Sequence, residues 1–162
     1  MRSLMRSAVS MNFHTRVTLR TVKDADSDFC FLVKKAALSQ YVAGIWGWDE
    51  EFQLHFHQTE WGMKRGRRPQ VVCLDARDVG IIEIATEADH YHLRDFYLLP
   101  EFQRQGIGSH LLQKLIADSK RTGRFILLEV LKNNPAKQLY LRNGFAQTGE
   151  TNSHFVMERE PM

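Results

Sequence analysis

Apolar and polar residues alternate over Arg16–Val22 ("RVTLRTV"), the period of a half-buried strand. The next segment, "DADSDFCFLVKKAAL", places Asp and Ser caps before an apolar helix that is expected to end near Leu38. "WGWDEEFQLHFHQTEW" predicts a turn and a second helix. Asp49 is its candidate cap, and Glu50 and Glu51 sit in the first turn, where the helix dipole favours acids. After Pro69 the period shortens to that of strands. "QVVCLD" is one, "ARDVG" a turn, "IIEIATE" a second strand and "HYHLRDFYLL" a third. From Gly106 the period lengthens again: Ile107, Leu111, Leu112, Leu115 and Ile116 form one side of a helix that stops near Gly123. "FILLEVL" is apolar enough to predict a strand buried on both faces. "NPAKQLYLRNG" predicts a helix with Pro135 in its first turn and Gly144 at its end. "FAQTG" and "SHFVMERE" predict a closing strand pair. The order β-αα-βββ-α-β-α-ββ describes an α/β domain, one mixed sheet flanked by helices.

Composition changes this picture little. A chain of 162 residues suits one domain with its own core. The net charge of +3 does not by itself argue for nucleic acid, which is not an expected partner. The one basic cluster, "KRGRRP" (64–69), reads as a solvated loop, or as a cationic rim attracting a phosphorylated ligand. Cys30 and Cys73 lie in apolar stretches without a CxxC spacing, which predicts buried thiols in a reducing compartment and so a cytoplasmic protein. No apolar run approaches a membrane span. Residues 1–14 lack the apolar stretch of a secretory signal. With Met1, Met5 and Met11 so close, they are expected to be a disordered leader or to follow a start assigned too early, residues 15–162 being the domain.

The stretch "LLPEFQRQGIGSHLL" (98–112) needs backbone where most helices start with side chains. A Walker loop requires Gly-Lys-Ser/Thr, and Gly106 is followed by Ile107, Gly108 and Ser109. A dinucleotide fingerprint wants a third small residue where Leu111 stands. A third arrangement accommodates every residue. Pro100 cannot continue a ladder, so the strand ends at Leu98 and Leu99. Gln103, Arg104 and Gln105 lead into the helix, whose first N–H groups have no internal partner and carry the positive end of the dipole. Such a terminus binds phosphate, and glycines at 106 and 108 let it approach.

"LLPEFQRQGIG" resembles the acyl-CoA binding motif of the GNAT (GCN-five-related) N-acetyltransferases, Gln/Arg-x-x-Gly-x-Gly/Ala, through Gln103, Gly106 and Gly108. About thirty residues on, "NPAKQLYLRNGF" (134–145) resembles the family's Asn-x-Ala-x-x-Leu-Tyr-x-x-x-Gly-Phe segment. Both motifs in that order, joined by one helix and one strand, carry the resemblance over roughly residues 16 to 160. "IWGWDEEFQ" and the closing run Gly149 to His154 resemble a bacterial subgroup of the family.

The resemblance implies transfer of an acetyl group from acetyl-CoA to an amine. The N–H groups of Gln103, Arg104, Gln105, Gly106, Ile107, Gly108 and Ser109 would hold the pyrophosphate. Leu98 and Leu99 would lie where two parallel strands splay and the pantetheine arm inserts, with an N–H near Leu99 polarising the thioester carbonyl. Asn134, or Asn133 beside it, would contact the arm. Tyr140 would protonate the leaving thiolate; a phenol (pKa about 10) is a modest donor to a thiol of about 8.5, so position counts for more than acidity. The amine must shed a proton before it attacks. Glu83, an acid in an apolar strand, is the candidate base; His92 and Asp95 are rivals expected to point to opposite faces. Family members that rely on water leave open whether any single base exists.

Trp46, Trp48 and Asp49 are candidates for the acceptor pocket, with Asp49 or Glu50 drawing in a cationic amine; a packing cluster between helices and sheet is the equal alternative. His55 and His57 face different ways on a helix, and His90 and His92 share a strand face without a third ligand, so no metal is expected. The favoured partner is a small amine acceptor, and a homodimer would be ordinary for the family. Two other functions stay open at this stage: an acyl-CoA sensing module without turnover, and an acetyltransferase for protein N-termini or lysines.

Overall fold

The computed structural model describes residues 13–63 and 68–162. The expected leader lies outside the described residues as far as residue 12, as do residues 64–67 of the basic cluster. A single turn α1 (Phe13–Arg16) leads into β1 (Val17–Thr21), followed by α2 (Ser27–Ile45) and α3 (Glu50–Met63). Three strands come next, β2 (Gln70–Leu74), β3 (Arg77–Thr86) and β4 (His90–Leu98). Then α4 (Ile107–Thr122), β5 (Phe125–Leu131), α5 (Lys137–Arg142), β6 (Ala146–Glu150) and β7 (His154–Arg159) complete the chain. From β1 onward this is the order read from the periodicity.

One sheet contains all seven strands, in the order β1-β2-β3-β4-β5-β7-β6. β4 and β5 are its parallel neighbours, and their ladder has four pairs, from His90↔Phe125 to Leu93↔Leu128. There it stops, although both strands continue. The cause lies on the other edge of β4. Glu83 of β3 pairs with Asp95 and Ile84 with Leu93, so Arg94 is one residue too many. Such a bulge bends its strand and increases the twist. Beyond it β4 stays with β3 while β5 follows β7, and a gap opens between them.

The sheet is packed on both sides. One core lies under α4 and α5, where Ile107, Leu112, Ile126, Leu128 and Met157 are almost wholly buried. A smaller one holds Cys30 and Val33 of α2 against Val71, Cys73 and Ile81. Burial of each large side chain is worth about 1.5–3 kcal/mol. The helix over the larger core is bounded by glycines in the left-handed region, Gly106 (φ 92°) and Gly123 (φ 72°), and Lys120 and Arg121 complement its C-terminal dipole. Arg20 ties the other side together, pairing with Asp26 and with Asp78 of β3, each at 2.8 Å.

Three local expectations change. α2 runs on from Leu38 to Ile45, because its last turns pack beside the loop after β5 and so carry no core-facing stripe; its buried residues are only Cys30 and Val33. The turn expected at "ARDVG" is the pair Asp75 and Ala76, with φ of 49° and 65°, the successive positive values that two-residue hairpins favour. The segment Arg77–Gly80 is already strand. And β5 is not covered on both faces: Phe125 and Leu127 are half-buried, and Glu129, past the last ladder pair, is exposed.

Two measurements test these constraints. A Cβ at Gly80 would stand 2.4 Å from the Tyr97 carbonyl oxygen. Gly80→Ala is therefore expected to lose about 1–3 kcal/mol of unfolding free energy in urea. The hydrogen bonds from Arg20 hold the Asp26 carboxyl at about 2, below its ordinary 3.8. A lowered folded value stabilises above the unfolded pKa and is lost as pH falls through the folded one. Arg20→Ala should weaken the fold near neutrality, and carboxyl NMR should find Asp26 back near its ordinary value.

Candidate functional site

The gap between β4 and β5 opens into a cavity of about 810 Å³ that passes through the sheet. That volume suits a bound cofactor with its substrate. Tyr41, Val42 and Trp46 of α2 line it on one side; Gly106, Gly108 and Ser109 at the start of α4, with Tyr140 of α5, line it on the other.

Pro100 ends β4 and starts a 3-10 turn, Pro100–Phe102. Backbone groups alternate sides along a strand. The Leu99 N–H donates to Val79 O (2.9 Å) in β3, so it is turned away from the gap. The peptide of Leu98 therefore faces the gap, where its carbonyl accepts from Gln103 Nε2 at 2.9 Å. Gln105 Nε2 braces the same loop on Glu101 O (2.7 Å). The side chains of Gln103 and Gln105 thus hold the loop's shape, and Ile107 is buried in the core. Arg104, itself at φ 61°, lines the cavity. The first helical bond runs from His110 N to Gly106 O (3.0 Å). The N–H groups of Ile107, Gly108 and Ser109 precede that ladder and have no partner within the helix, the arrangement that suits an anion. A Cβ at Gly108 would make only ordinary contacts, with Leu139 at 3.6 Å, whereas Gly106 is needed for its positive φ.

Asn134 lines the cavity and accepts from Ala136 N (2.9 Å), starting the turn into α5. Asn133 faces the other way: its Nδ2 donates to Tyr41 O of α2 at 2.9 Å. Tyr140 is 7% exposed and meets Phe145 edge-on at 5.6 Å. Burial pushes its phenol well above the ordinary value, so it stays protonated. Its hydroxyl has no hydrogen-bond partner among the described residues.

The base candidates are placed differently. Glu83, 6% exposed, lies opposite Asp95 on the α2 face and does not line the cavity. His92 and Asp95 were expected on opposite faces. The extra residue Arg94 between them restores the face, so both look toward α2, Asp95 pairing with Lys34 at 3.8 Å. Burial, aided by Arg94, holds the His92 pKa below its ordinary value. The carboxylate that does line the cavity is Glu129, on β5 just past the last ladder pair. It is the lone acid in "FILLEVL", and that interruption was its sequence signal.

Of the acceptor candidates, Trp46 lines the cavity and its ring lies 6.4 Å from that of His154. Trp48 and Asp49 do not reach it. Trp48 Nε1 donates to Glu50 Oε2 (2.7 Å), and Asp49 Oδ1 caps α3 by accepting from Phe52 N (3.0 Å). Glu50 in turn pairs with Lys35 at 2.8 Å on the surface, and Asp49 lines a separate, open depression along α3. Arg68, at the described edge of the basic cluster, is engaged by Asp24 and by the Trp61 ring. Among the described residues no group of three potential ligands could hold a metal, and no helix is long and apolar enough to cross a membrane.

A family model described as an acetyltransferase (GNAT) domain matches residues 66–147. Among solved structures, the chain is similar to the PaiA N-acetyltransferase of Thermoplasma acidophilum in complex with coenzyme A. The two are 22% identical with a TM-score of 0.72, covering 89% of this chain and 98% of that one. An acetyltransferase of Thermus thermophilus gives 21% identity and a TM-score of 0.68, covering 90% and 97%. The ribosomal-protein-S18-alanine N-acetyltransferase of Escherichia coli gives 19% and 0.64, covering 89% and 93%. At these identities the likeness is one of fold. No curated protein matches the sequence.

Gly106→Ala places a Cβ on a left-handed residue, at a cost of about 1–2 kcal/mol, and distorts the turn that presents the free N–H groups. A lower melting temperature and weaker acetyl-CoA binding by calorimetry are expected together.

Proposed function

We propose that this chain, which belongs to the acetyltransferase (GNAT) domain family, moves an acetyl group from acetyl-CoA to a primary amine of a small molecule, by direct attack in a ternary complex. The observation that carries this reading is the gap itself. It runs from a helix N-terminus suited to a diphosphate, beneath a protonated tyrosine, to a chamber holding a carboxylate.

The diphosphate of acetyl-CoA sits on the N–H groups of Ile107, Gly108 and Ser109, with Arg104 adding charge. The pantetheine arm lies between β4 and β5 and bonds to backbone that the broken ladder leaves free; Asn134 flanks it. The Leu98 N–H takes the role first given to Leu99, donating to the thioester oxygen as it becomes an oxyanion. Glu129 takes the role of base in place of Glu83, because Glu129 lines the cavity. It accepts a proton from the ammonium, directly or through water. The amine then forms the new C–N bond, the C–S bond breaks, Tyr140 gives its proton to the departing sulfur, and the second proton that the nitrogen sheds passes through water to restore the tyrosine. A buried phenol with no competing acceptor is a poor free acid but is held in the form that can donate.

One contact favours a small acceptor over a peptide: Trp46 and His154, which both line the chamber, bring their rings to 6.4 Å.

Calorimetric titration with acetyl-CoA, followed by thiol release over a panel of amines, tests the proposal. Binding with amine-dependent release supports it. Binding without release for any amine would replace it with the sensing module, and no binding would remove both. Tyr140→Phe is expected to lower kcat by about 10²–10⁴ with acetyl-CoA affinity unchanged. Glu129→Gln should lower kcat/KM most at the pH values where the amine is still protonated.

A further inference from the structure

Two arginines that line the cavity, Arg94 and Arg142, have no part in the reaction just described. Arg94, the extra residue of the β4 bulge, lines the cavity. It and Glu129 occupy the first positions beyond the last ladder pair, Leu93↔Leu128, on facing strands. Neither makes a hydrogen bond or an ion pair within 4 Å among the described residues, although both lie close enough to His92 to act on its charge in opposite directions. Two opposite charges on neighbouring strands that do not close on each other leave room for a ligand of the reverse polarity between them.

Arg94 is badly placed to serve the phosphates of CoA. Four residue steps separate it from Leu98, about 13 Å along a strand, and the phosphate-binding turn lies beyond that. Nor does it brace the fold as Arg20 does, through two carboxylates at 2.8 Å. The ion pair nearest to it in sequence, between Asp95 and Lys34 at 3.8 Å, does not include it.

We propose that Arg94 binds a carboxylate of the acceptor, and that the acceptor is a small zwitterion whose primary ammonium is separated from that carboxylate by one or two carbon atoms, as in a free amino acid. The ammonium faces Glu129 and the carboxylate faces the guanidinium, whose planar fork suits two parallel hydrogen bonds. Tyr41 and Trp46 of α2 then meet the remainder of the molecule. The chain end of a protein, whose α-carboxyl is an amide, offers Arg94 no anion. This inference rests on the transferase reading above and narrows its acceptor.

The test uses the wild-type protein, acetyl-CoA and a panel of free amino acids, each beside its methyl ester and its decarboxylated amine, with thiol release as the readout. For the best member the free acid is expected to exceed both relatives in kcat/KM by about tenfold or more, the difference lying mainly in KM. Arg94→Gln should erase that preference while acetyl-CoA affinity, measured by calorimetry, stays as it was; Arg94→Lys should recover part of it. Esters or plain amines turned over as well as the acids would overturn the inference, and the wild-type comparison decides this even if the variants fold poorly. Acetylation of no member by a protein that binds acetyl-CoA would overturn it too. A protein that binds no acetyl-CoA would bring down the transferase reading itself, and this one with it.

Discussion

A parallel ladder lasts only while its two strands keep the same direction, and β4 changes direction after Leu93. One surplus residue, Arg94, does this by breaking register with β3 rather than with β5. The backbone groups released past Leu93 and Leu128 would be a liability in a closed sheet, since unpaired buried peptides are costly. Here they border a cavity large enough for a ligand that can satisfy them. The same bend sets which side chains look toward α2, bringing His92 and Asp95 to one face and leaving Arg94 at the mouth of the gap.

The two ends of the gap are held by different means. Beside the N-terminus of α4 the devices are backbone: left-handed residues at Arg104 and Gly106, and two glutamine side chains bonded to the carbonyls of Leu98 and Glu101. Such a turn is stiff before any ligand arrives, so little ordering remains for binding to impose. Beside α2 the devices are side chains from separate elements, Asn133 on Tyr41 O and Trp46 near His154. Gly44 belongs to this second group, because a Cβ there would lie 2.9 Å from Asn133 Nδ2. The first arrangement fits a cofactor whose shape never varies; the second is easily altered by single substitutions.

Much of this was readable in the chain. The strand and helix order follows from periods of two and three and a half, and the uncapped helix start follows from Gly106 and Gly108. What escaped has physical reasons. A bulge is a property of pairing, and "HYHLRDFYLL" alternates acceptably without revealing that Arg94 is surplus. Glu129 hid in a run whose apolarity implied cover on both faces, and the gap removes one of those covers. Trp48 and Asp49 drew attention as an aromatic-acid cluster, yet their partners, Glu50 and Phe52, lie two and three residues away. Local hydrogen bonding and ligand binding favour the same residue types, so composition alone does not separate them. Glu83 shows the converse: a buried acid on a sheet near a cavity need not face it.

The cavity is lined by α4 on one face of the sheet and by α2 on the other, which offers an approach from each face. In the proposed reaction the two substrates therefore do not queue. Each arrives through its own door, and neither has to leave for the other to enter. They meet in the thickness of a single β-layer, so the distance between donor and acceptor is set by backbone on both sides and owes little to any flexible loop.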